Sequence, residues 1–242
     1  YLVEVSGRYD GTSRFKRGHR WGFFPSVSVG WVMSQEDFFQ SALPKIEYFK
    51  LRGSIGTLGN DNVTAFLYRK QFAYNASSVA FGSTPASQGT LSNSVAFPFE
   101  DLTWERTRTY DIGFEMSAWN GLLGVEFDYF YKYTFNILQS IGGIYPPSLG
   151  GHYPAYINDG TFDNRGFELV LRHRNRIGKF SYGVTGNLTF ARNRILSKQQ
   201  ADNTLPWKNV LGSSLGALWG LKSDGLYQTE EELANAPKPV GV

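Results

Sequence analysis

The sequence predicts an all-β fold of antiparallel strands, and three observations lead to this prediction. Apolar and polar residues alternate with period two along much of the chain, as in strands with two different faces. The hairpin signal Asn120-Gly121 lies between two such stretches. Aromatic residues make up 16% of the chain and glycine 27 of 242 residues, whereas only two are methionine, which disfavours a helical bundle. About nine or ten strands are predicted, with residues 65–75 a weaker candidate.

The stretch from Leu123 to Lys132 is the clearest strand. A two-residue turn at Asn120-Gly121 sets Trp119 opposite Leu122 and Phe114 opposite Phe127. All the apolar residues of the hairpin then fall on one face. A slip of one residue would mix the two faces, so the turn and the pattern support the register independently.

The other face of this hairpin is charged, because the same register sets Glu115 opposite Glu126. Like charges directly opposed destabilise a sheet, and an unpaired charge in a dry core is very costly. We therefore expect this face to meet water or basic partners such as Arg52, Lys132 or Arg172. A soluble sandwich with polar residues outward and a barrel with a wet lumen both satisfy this condition.

Strand length favours the barrel. Tyr110 and Trp119 are nine positions apart, which is about 30 Å along a strand. At a tilt of roughly 40° this becomes about 23 Å of height, close to the apolar band of about 25 Å that aromatic girdles flank in membrane barrels. The chain has no run of about 18 apolar residues, so no transmembrane helix is predicted. The predicted fold is an antiparallel transmembrane β-barrel, of which the chain forms a part.

The connections alternate in length, as in outer-membrane barrels. The turn at Asn120-Gly121 is tight, residues 174–178 are a short turn, and the linker 34–44 is intermediate. The long connections, rich in Gly, Ser, Pro and Asn, are 76–101, 138–160 and 195–213. Four further stretches alternate as strands do: 23–31, 49–55, 167–171 and 180–190.

Eight motifs in order along almost the whole chain carry a family resemblance. They are RYDGTSRF at 8–15, RWGFFPSVSVGW at 20–31, KLRGSIGTLGND at 50–61, LTWERT at 102–107, DYFYK at 128–132, NRGFEL at 164–169, NLTFARNRI at 187–195 and SDGLYQTEEEL at 223–233. Through them the chain resembles the barrel region of the SusC/RagA family of TonB-dependent outer-membrane transporters.

The resemblance implies a barrel of about 22 strands, filled by an N-terminal plug domain, in the outer membrane of a Bacteroidetes-type bacterium. It also implies import of glycans or peptides, a SusD-like surface lipoprotein as partner, and energy from the TonB complex. Residues 1–242 are expected to be part of the barrel domain, with the plug domain and the barrel ends absent. Such a part would not transport anything alone.

Two alternatives stay open from the residues. A siderophore or cobalamin receptor would share the architecture, although the motifs argue against it. A soluble β-rich carbohydrate-binding surface module would bury the face that carries Phe114 and Phe127 against a second sheet, whereas the barrel exposes that face to lipid.

The sequence shows no catalytic constellation, cofactor motif or metal site. His19, His152 and His173 are far apart and lack ligand spacing. Acid–base catalysis by the Glu115 and Glu126 pair would require an enclosed pocket, which a wide wet lumen does not provide. The net charge of +3 is too small to indicate a nucleic-acid partner.

Aromatic side chains in the long connections are the candidate ligand contacts, because a flat ring with a polar tip suits sugar or peptide. The alternative role is packing of one loop on another. The candidates are Tyr145, Tyr153, Tyr156 and Trp207. The basic cluster from Arg172 to Arg176 is either a solvated turn or a contact for anionic headgroups at the inner surface of the membrane.

Overall fold

Seven long strands form one antiparallel sheet in the computed structural model. The structure describes residues 1–70, 73–75, 90–92, 98–141, 144–149, 155–201, 204–220, 222–223 and 225–236. The strands are β1 (Leu2–Gly11), β2 (Trp21–Val32), β3 (Ile46–Asn60), β6 (Glu105–Ala118), β7 (Leu123–Ser140), β8 (Tyr156–Ile177) and β9 (Phe180–Ser197). Their order in the sheet is β1-β2-β3-β6-β7-β8-β9. Each of these seven long strands therefore pairs with the long strand that follows it in the chain, as in an up-and-down barrel wall.

The smaller elements lie between and after these strands. A separate two-stranded sheet pairs β4 (Ala73–Asn75) with β5 (Thr90–Ser92). Helix α1 spans Asp37–Ala42 and helix α2 spans Glu230–Asn235. The barrel wall thus has seven strands in the described residues, fewer than the nine or ten predicted, and the two short strands β4 and β5 form a sheet of their own. No helix in the described part of the chain is long and apolar enough to cross a membrane.

The β6–β7 hairpin confirms the predicted register. Phe114 pairs with Phe127, and Glu115 pairs with Glu126. The ladder ends at the pair Ala118 and Leu123, so the turn spans residues 119–122. Trp119 has a positive φ of 57°, like Asn120 after it. The backbone N–H of Leu122 donates to the carbonyl oxygen of Trp119 at 3.2 Å and closes the turn.

Several strands run further than the alternation predicts. Strand β7 continues to Ser140 and β8 begins at Tyr156, so the connection predicted at 138–160 is reduced to 141–155. Strand β8 also continues through the predicted turn at 174–178 and reaches Ile177. The backbone pairing persists through these ends although the apolar alternation disappears, because ladder hydrogen bonds do not depend on side-chain polarity.

A small core lies at the end of the sheet that carries the long connections. It consists of buried Phe15, Phe24, Leu102 and Trp104. The Trp104 ring meets Phe15 and Phe24 edge-on, with centroids 5.6 and 5.2 Å apart. Its Nε1 donates to the carbonyl oxygen of Arg20 at 3.2 Å. These contacts join the β1–β2 connection to the residues that precede β6.

Helix α1 packs at the opposite end, within the linker predicted at 34–44. Its buried Phe39 stacks on Phe49 of β3, with ring centroids 5.3 Å apart. Just before the helix, Glu36 accepts a hydrogen bond from Nε1 of Trp31 at 2.9 Å. The two contacts hold the β2–β3 connection against the sheet.

Candidate functional site: the two faces of the sheet

The apolar face of the sheet carries a continuous stack of phenylalanine rings, here called the phenylalanine ladder. It contains one residue from each of five neighbouring strands: Phe49, Phe114, Phe127, Phe167 and Phe190. Successive ring centroids are 5.6, 5.8, 6.1 and 5.9 Å apart, and the rings are stacked. Aromatic pairs in this range add stability beyond the area they bury. The ladder therefore ties the strands together across the apolar face.

The apolar face is open rather than covered. Ile112 is 56% exposed and Tyr129 is 44% exposed. The second sheet in the described residues, β4–β5, has only three residues in each strand. A soluble sandwich requires this face to be buried against a second sheet of similar size, so the open face favours the barrel over that alternative. An exposed apolar face of this extent fits contact with lipid.

The opposite face, here called the ionic face, is built from ion pairs. Arg52 of β3 donates from Nε to Asp128 of β7 at 3.0 Å and from Nη1 to Glu115 of β6. Arg172 of β8 donates to Glu126 of β7. The two directly opposed glutamates are thus neutralised by separate arginines, which removes the like-charge conflict of the hairpin.

A glycine makes the longest of these pairs possible. Arg52 and Asp128 lie on strands separated by β6, and Gly113 of β6 pairs with both of them. A Cβ at position 113 would lie 2.0 Å from Oδ1 of Asp128 and 2.5 Å from the backbone oxygen of Phe127. The missing side chain leaves the space through which Asp128 reaches across to Arg52.

The other predicted cations behave differently. Lys132 lies over the ring of Phe130, with Nζ 4.9 Å from the centroid, and forms no salt bridge with a described carboxylate. The basic cluster lies in the last residues of β8 and not in a turn, because β8 extends to Ile177. Within it, Nε2 of His173 is 3.1 Å from the hydroxyl of Tyr182. Nε of Arg176 donates to the carbonyl oxygen of Gly178 at 3.0 Å.

A shallow groove opens on the ionic face near the long connections. Its lining includes Arg8, Asp10, Phe24 and Trp104. Arg8 pairs with Asp10 at 2.7 Å. Charged and aromatic groups side by side are suited to a polar ligand. These residues lie in the motifs at 8–15, 20–31 and 102–107 that carry the family resemblance, but the sequence did not predict them as ligand contacts. Arg8 and Asp10 follow the period-two pattern, whereas Trp104 lies before its strand.

Basic residues also lie in the connection after β3. Arg69 lies over the rings of Phe66 and Tyr68, at 5.2 and 5.6 Å from the centroids. Burial raises the pKa of the Tyr68 hydroxyl, but hydrogen bonds with Arg20 and Arg69 outweigh burial and lower this pKa from its ordinary value. The guanidinium groups of Arg20 and Arg69 therefore meet the Tyr68 hydroxyl at this end of the sheet.

The predicted ligand aromatics lie at that same end of the sheet. Tyr145 is half-buried in the β7–β8 connection, and half-buried Tyr156 begins β8 opposite Ser140. Trp207 is exposed in a short 3-10 helix after β9. Tyr153 lies outside the described residues. Their contact with a ligand stays a prediction.

Metal-ligating side chains do not come together in groups of three or more anywhere in the described ranges. His19 lies in the β1–β2 connection and His173 in β8, whereas His152 lies outside the described residues.

Comparison with known proteins identifies the sheet as part of a larger wall. Residues 1–237 match the family described as TonB dependent receptor-like, beta-barrel. The chain is 30% identical over 249 residues to TonB-dependent receptor P39 of Formosa agariphila, covering 100% of this chain and 22% of that protein. It is 29% identical over 210 residues to TonB-dependent receptor SusC of Bacteroides thetaiotaomicron, covering 84% of this chain and 20% of that protein. The chain thus spans about a fifth of the length of these relatives.

Solved structures show the same fold. The RagAB peptide importer in its closed-closed state superposes with a TM-score of 0.70 at 23% identity, covering 87% of this chain and 23% of that one. Its open-open state gives 0.67 at 22% identity, covering 84% and 22%. The seven-stranded sheet therefore has the fold of a section of that barrel wall. On the family match, the chain belongs to the TonB-dependent receptor-like β-barrel family.

Proposed function

We propose that the chain is a section of the barrel wall of a SusC-like outer-membrane importer. One observation supports this above all: a single sheet carries the phenylalanine ladder on an open face and half-buried ion pairs on the other. Lipid suits the first face and a water-filled path suits the second. In this proposal residues 1–242 belong to the barrel domain, and a plug region lies outside this sequence.

The wall acts by shaping and holding the path, not by chemistry. Ion pairs such as Arg52 with Asp128 fix the charged side chains against the wall, so a passing solute meets a static polar surface. The groove lined by Arg8, Asp10 and Trp104 opens toward the long connections, where a solute would enter first. The proposal includes no enzymatic step.

The proposed substrates are oligosaccharides or peptides, and the proposed partners are a SusD-like surface lipoprotein and the TonB complex. The relative named SusC and the fold shared with a structure named as the RagAB peptide importer support this choice over a siderophore or cobalamin receptor. The lipoprotein would cover the end with the long connections, and TonB would act through the plug region.

Cysteine labelling of the complete protein tests the two faces. The chain contains no cysteine, so Ile112→Cys on the apolar face and Thr109→Cys on the ionic face each introduce one site in β6. A nitroxide spin label attached to Cys at position 112 should collide mainly with oxygen, which dissolves in lipid. The label at position 109 should collide mainly with a water-soluble nickel complex, and the spin relaxation rate measures both. Equal accessibility of both positions to the nickel complex would contradict the barrel.

Uptake in the source bacterium tests transport. A strain without the gene should lose uptake of a labelled peptide or oligosaccharide too large for porins, and the gene returned in trans should restore it. Small solutes that pass through porins serve as the control. Unchanged uptake of every large peptide and oligosaccharide tried would contradict the proposal.

A further inference from the structure

Three exposed arginines lie on the apolar face beyond the phenylalanine ladder, and they are called here the arginine patch: Arg108, Arg165 and Arg192. Each lies two positions past an aromatic residue of that face, namely Tyr110, Phe167 and Phe190. Charged side chains on a lipid-facing surface are costly at mid-membrane depth and tolerated near the interfaces. Their position near one end of the apolar face is therefore consistent with a membrane interface.

The register places Arg165 and Arg192 side by side and Arg108 across β7, one level further toward the long connections. Arg165 of β8 pairs directly with Arg192 of β9, and on its other side with Tyr131 of β7. Arg108 of β6 pairs with Tyr133, the next residue of β7 on that face. No register shift interrupts these pairings between the patch and the ladder. The three arginines thus surround a pair of tyrosines.

No described carboxylate neutralises the patch. The neighbouring acid on this face, Asp163, is 1% exposed and already held by Arg194, which donates at 3.2 and 2.6 Å. Arg108 contacts the ring of Phe135 at 5.8 Å, and no ion pair of Arg165 or Arg192 occurs within the described ranges. Two like charges paired directly across strands destabilise a sheet, so the patch needs an anion from outside.

The height of the patch places it at the membrane surface. Tyr182 and Arg192 are ten positions apart on β9, or about 33 Å along the strand. A tilt of roughly 40° reduces this to about 25 Å, the thickness of the apolar band. Tyr182 marks the short-turn end, so the patch meets the headgroups at the end with the long connections, which is the external side.

We propose that the arginine patch binds phosphate groups of an anionic lipid in the outer leaflet. A guanidinium presents two parallel N–H donors that match phosphate oxygens, and the adjacent tyrosines suit the boundary between apolar chains and polar headgroups. The proposal rests on the outer-membrane location and on no transported substrate.

A protein strand beyond β9 would not replace the lipid. Arg192 lies on the edge strand, so an acidic residue of a further strand could pair with it. Arg165 lies on β8, whose two neighbours β7 and β9 are both in place. Its cross-strand neighbours are therefore Tyr131 and Arg192, and neither is acidic.

Lipid retention by the complete protein tests the patch. The purified protein is incubated with diphosphorylated lipid A, with its dephosphorylated form or with inorganic phosphate, and bound species are counted by native mass spectrometry. The double variant Arg165→Gln/Arg192→Gln removes two cations. Lys208→Gln/Lys222→Gln removes two exposed cations from the residues after β9 and is the matched control. Sheet content and resistance to heat in detergent confirm that each variant is folded.

We expect the wild type and the control to retain the phosphorylated lipid at least about tenfold more than R165Q/R192Q, which corresponds to the loss of one or two charge-assisted hydrogen bonds. Arg165→Lys/Arg192→Lys should retain an intermediate amount. Should the double variant not fold, Arg165→Gln alone should still lose most of the binding.

Two outcomes would overturn the proposal. One is equal retention of phosphorylated lipid by the wild type and by folded R165Q/R192Q or R165Q. The other is displacement of the bound lipid by inorganic phosphate, which would make free phosphate the ligand of the patch. Neither outcome bears on solute uptake, so this proposal and the importer can fail separately.

Discussion

Single residues on the ionic face are coupled across strands. Arg52 serves both Glu115 and Asp128, so one side chain holds three strands in register on that face. An exposed pair such as Arg8 with Asp10, in which the Arg8 side chain is 79% exposed, joins residues of a single strand. The two pairs should therefore differ in their contribution to stability.

Arg52→Gln should lower the free energy of unfolding by about 1–2 kcal/mol, less than the roughly 3–5 kcal/mol for breaking a fully buried pair, since water reaches this face. Arg8→Gln, the matched control, should cost about 0–1 kcal/mol, as surface pairs do. Urea unfolding of the complete protein in lipid vesicles measures both. Equal losses would show that Arg52 does not bridge the strands.

Gly113→Ala tests the space that Asp128 uses. The added Cβ would meet the Asp128 carboxylate and the backbone oxygen of Phe127, so we expect a loss of about 1–3 kcal/mol from overpacking. Gly186→Ala in β9 meets no atom within 4 Å and should be neutral or stabilising by up to about 1 kcal/mol. The same unfolding assay compares them, and a neutral G113A would contradict the close approach.

Among the elements, the β6–β7 hairpin is the one whose turn and register the local sequence specifies most strongly. Asn120 and Gly121 have φ values of 57° and 76°, which only a few residue types adopt without strain. The alternation on both strands specifies the same register that the turn specifies. Elements without such a turn, such as α1 in the β2–β3 connection, depend on contacts with the sheet.

Gly121→Val should destabilise this hairpin by about 1–2 kcal/mol, the cost of a left-handed backbone for a residue with a side chain. Asn120→Gly should change stability by less than about 0.5 kcal/mol, because glycine adopts this φ and the backbone N–H that donates to Glu47 is kept. The yield of heat-resistant folded protein and its urea midpoint report the effect. A harmless G121V would argue against a turn that requires positive φ.

In the proposed barrel, the two faces of the sheet meet different solvents, lipid on the apolar face and water on the ionic face. Ile112 lies near mid-height of the apolar face, between Trp119 and Arg108, whereas Ser54 lies on the ionic face opposite Asp111. The same substitution should therefore have opposite consequences at the two positions. We expect such a difference only if the sheet separates lipid from water.

Ile112→Arg should cost about 2–4 kcal/mol, as cations do at the midplane of a membrane barrel, and should reduce insertion into the outer membrane. Ser54→Arg should cost less than about 1 kcal/mol, because its charge meets water and a nearby carboxylate. Unfolding in vesicles and the amount recovered from outer membranes measure both variants. Equal tolerance of arginine at 112 and 54 would contradict a lipid-facing surface.

What the sequence by itself determined was local: the alternation located the strands, and Asn120-Gly121 specified the β6–β7 register and the opposed glutamates. Strand ends at Ser140 and Ile177 escaped prediction, because the apolar alternation stops before the backbone pairing does. Only the tertiary structure decided that Arg52 reaches Asp128 and that Arg165 opposes Arg192. Such contacts join distant residues, so they depend on strand order, register and the space at a glycine, none of which a local pattern records.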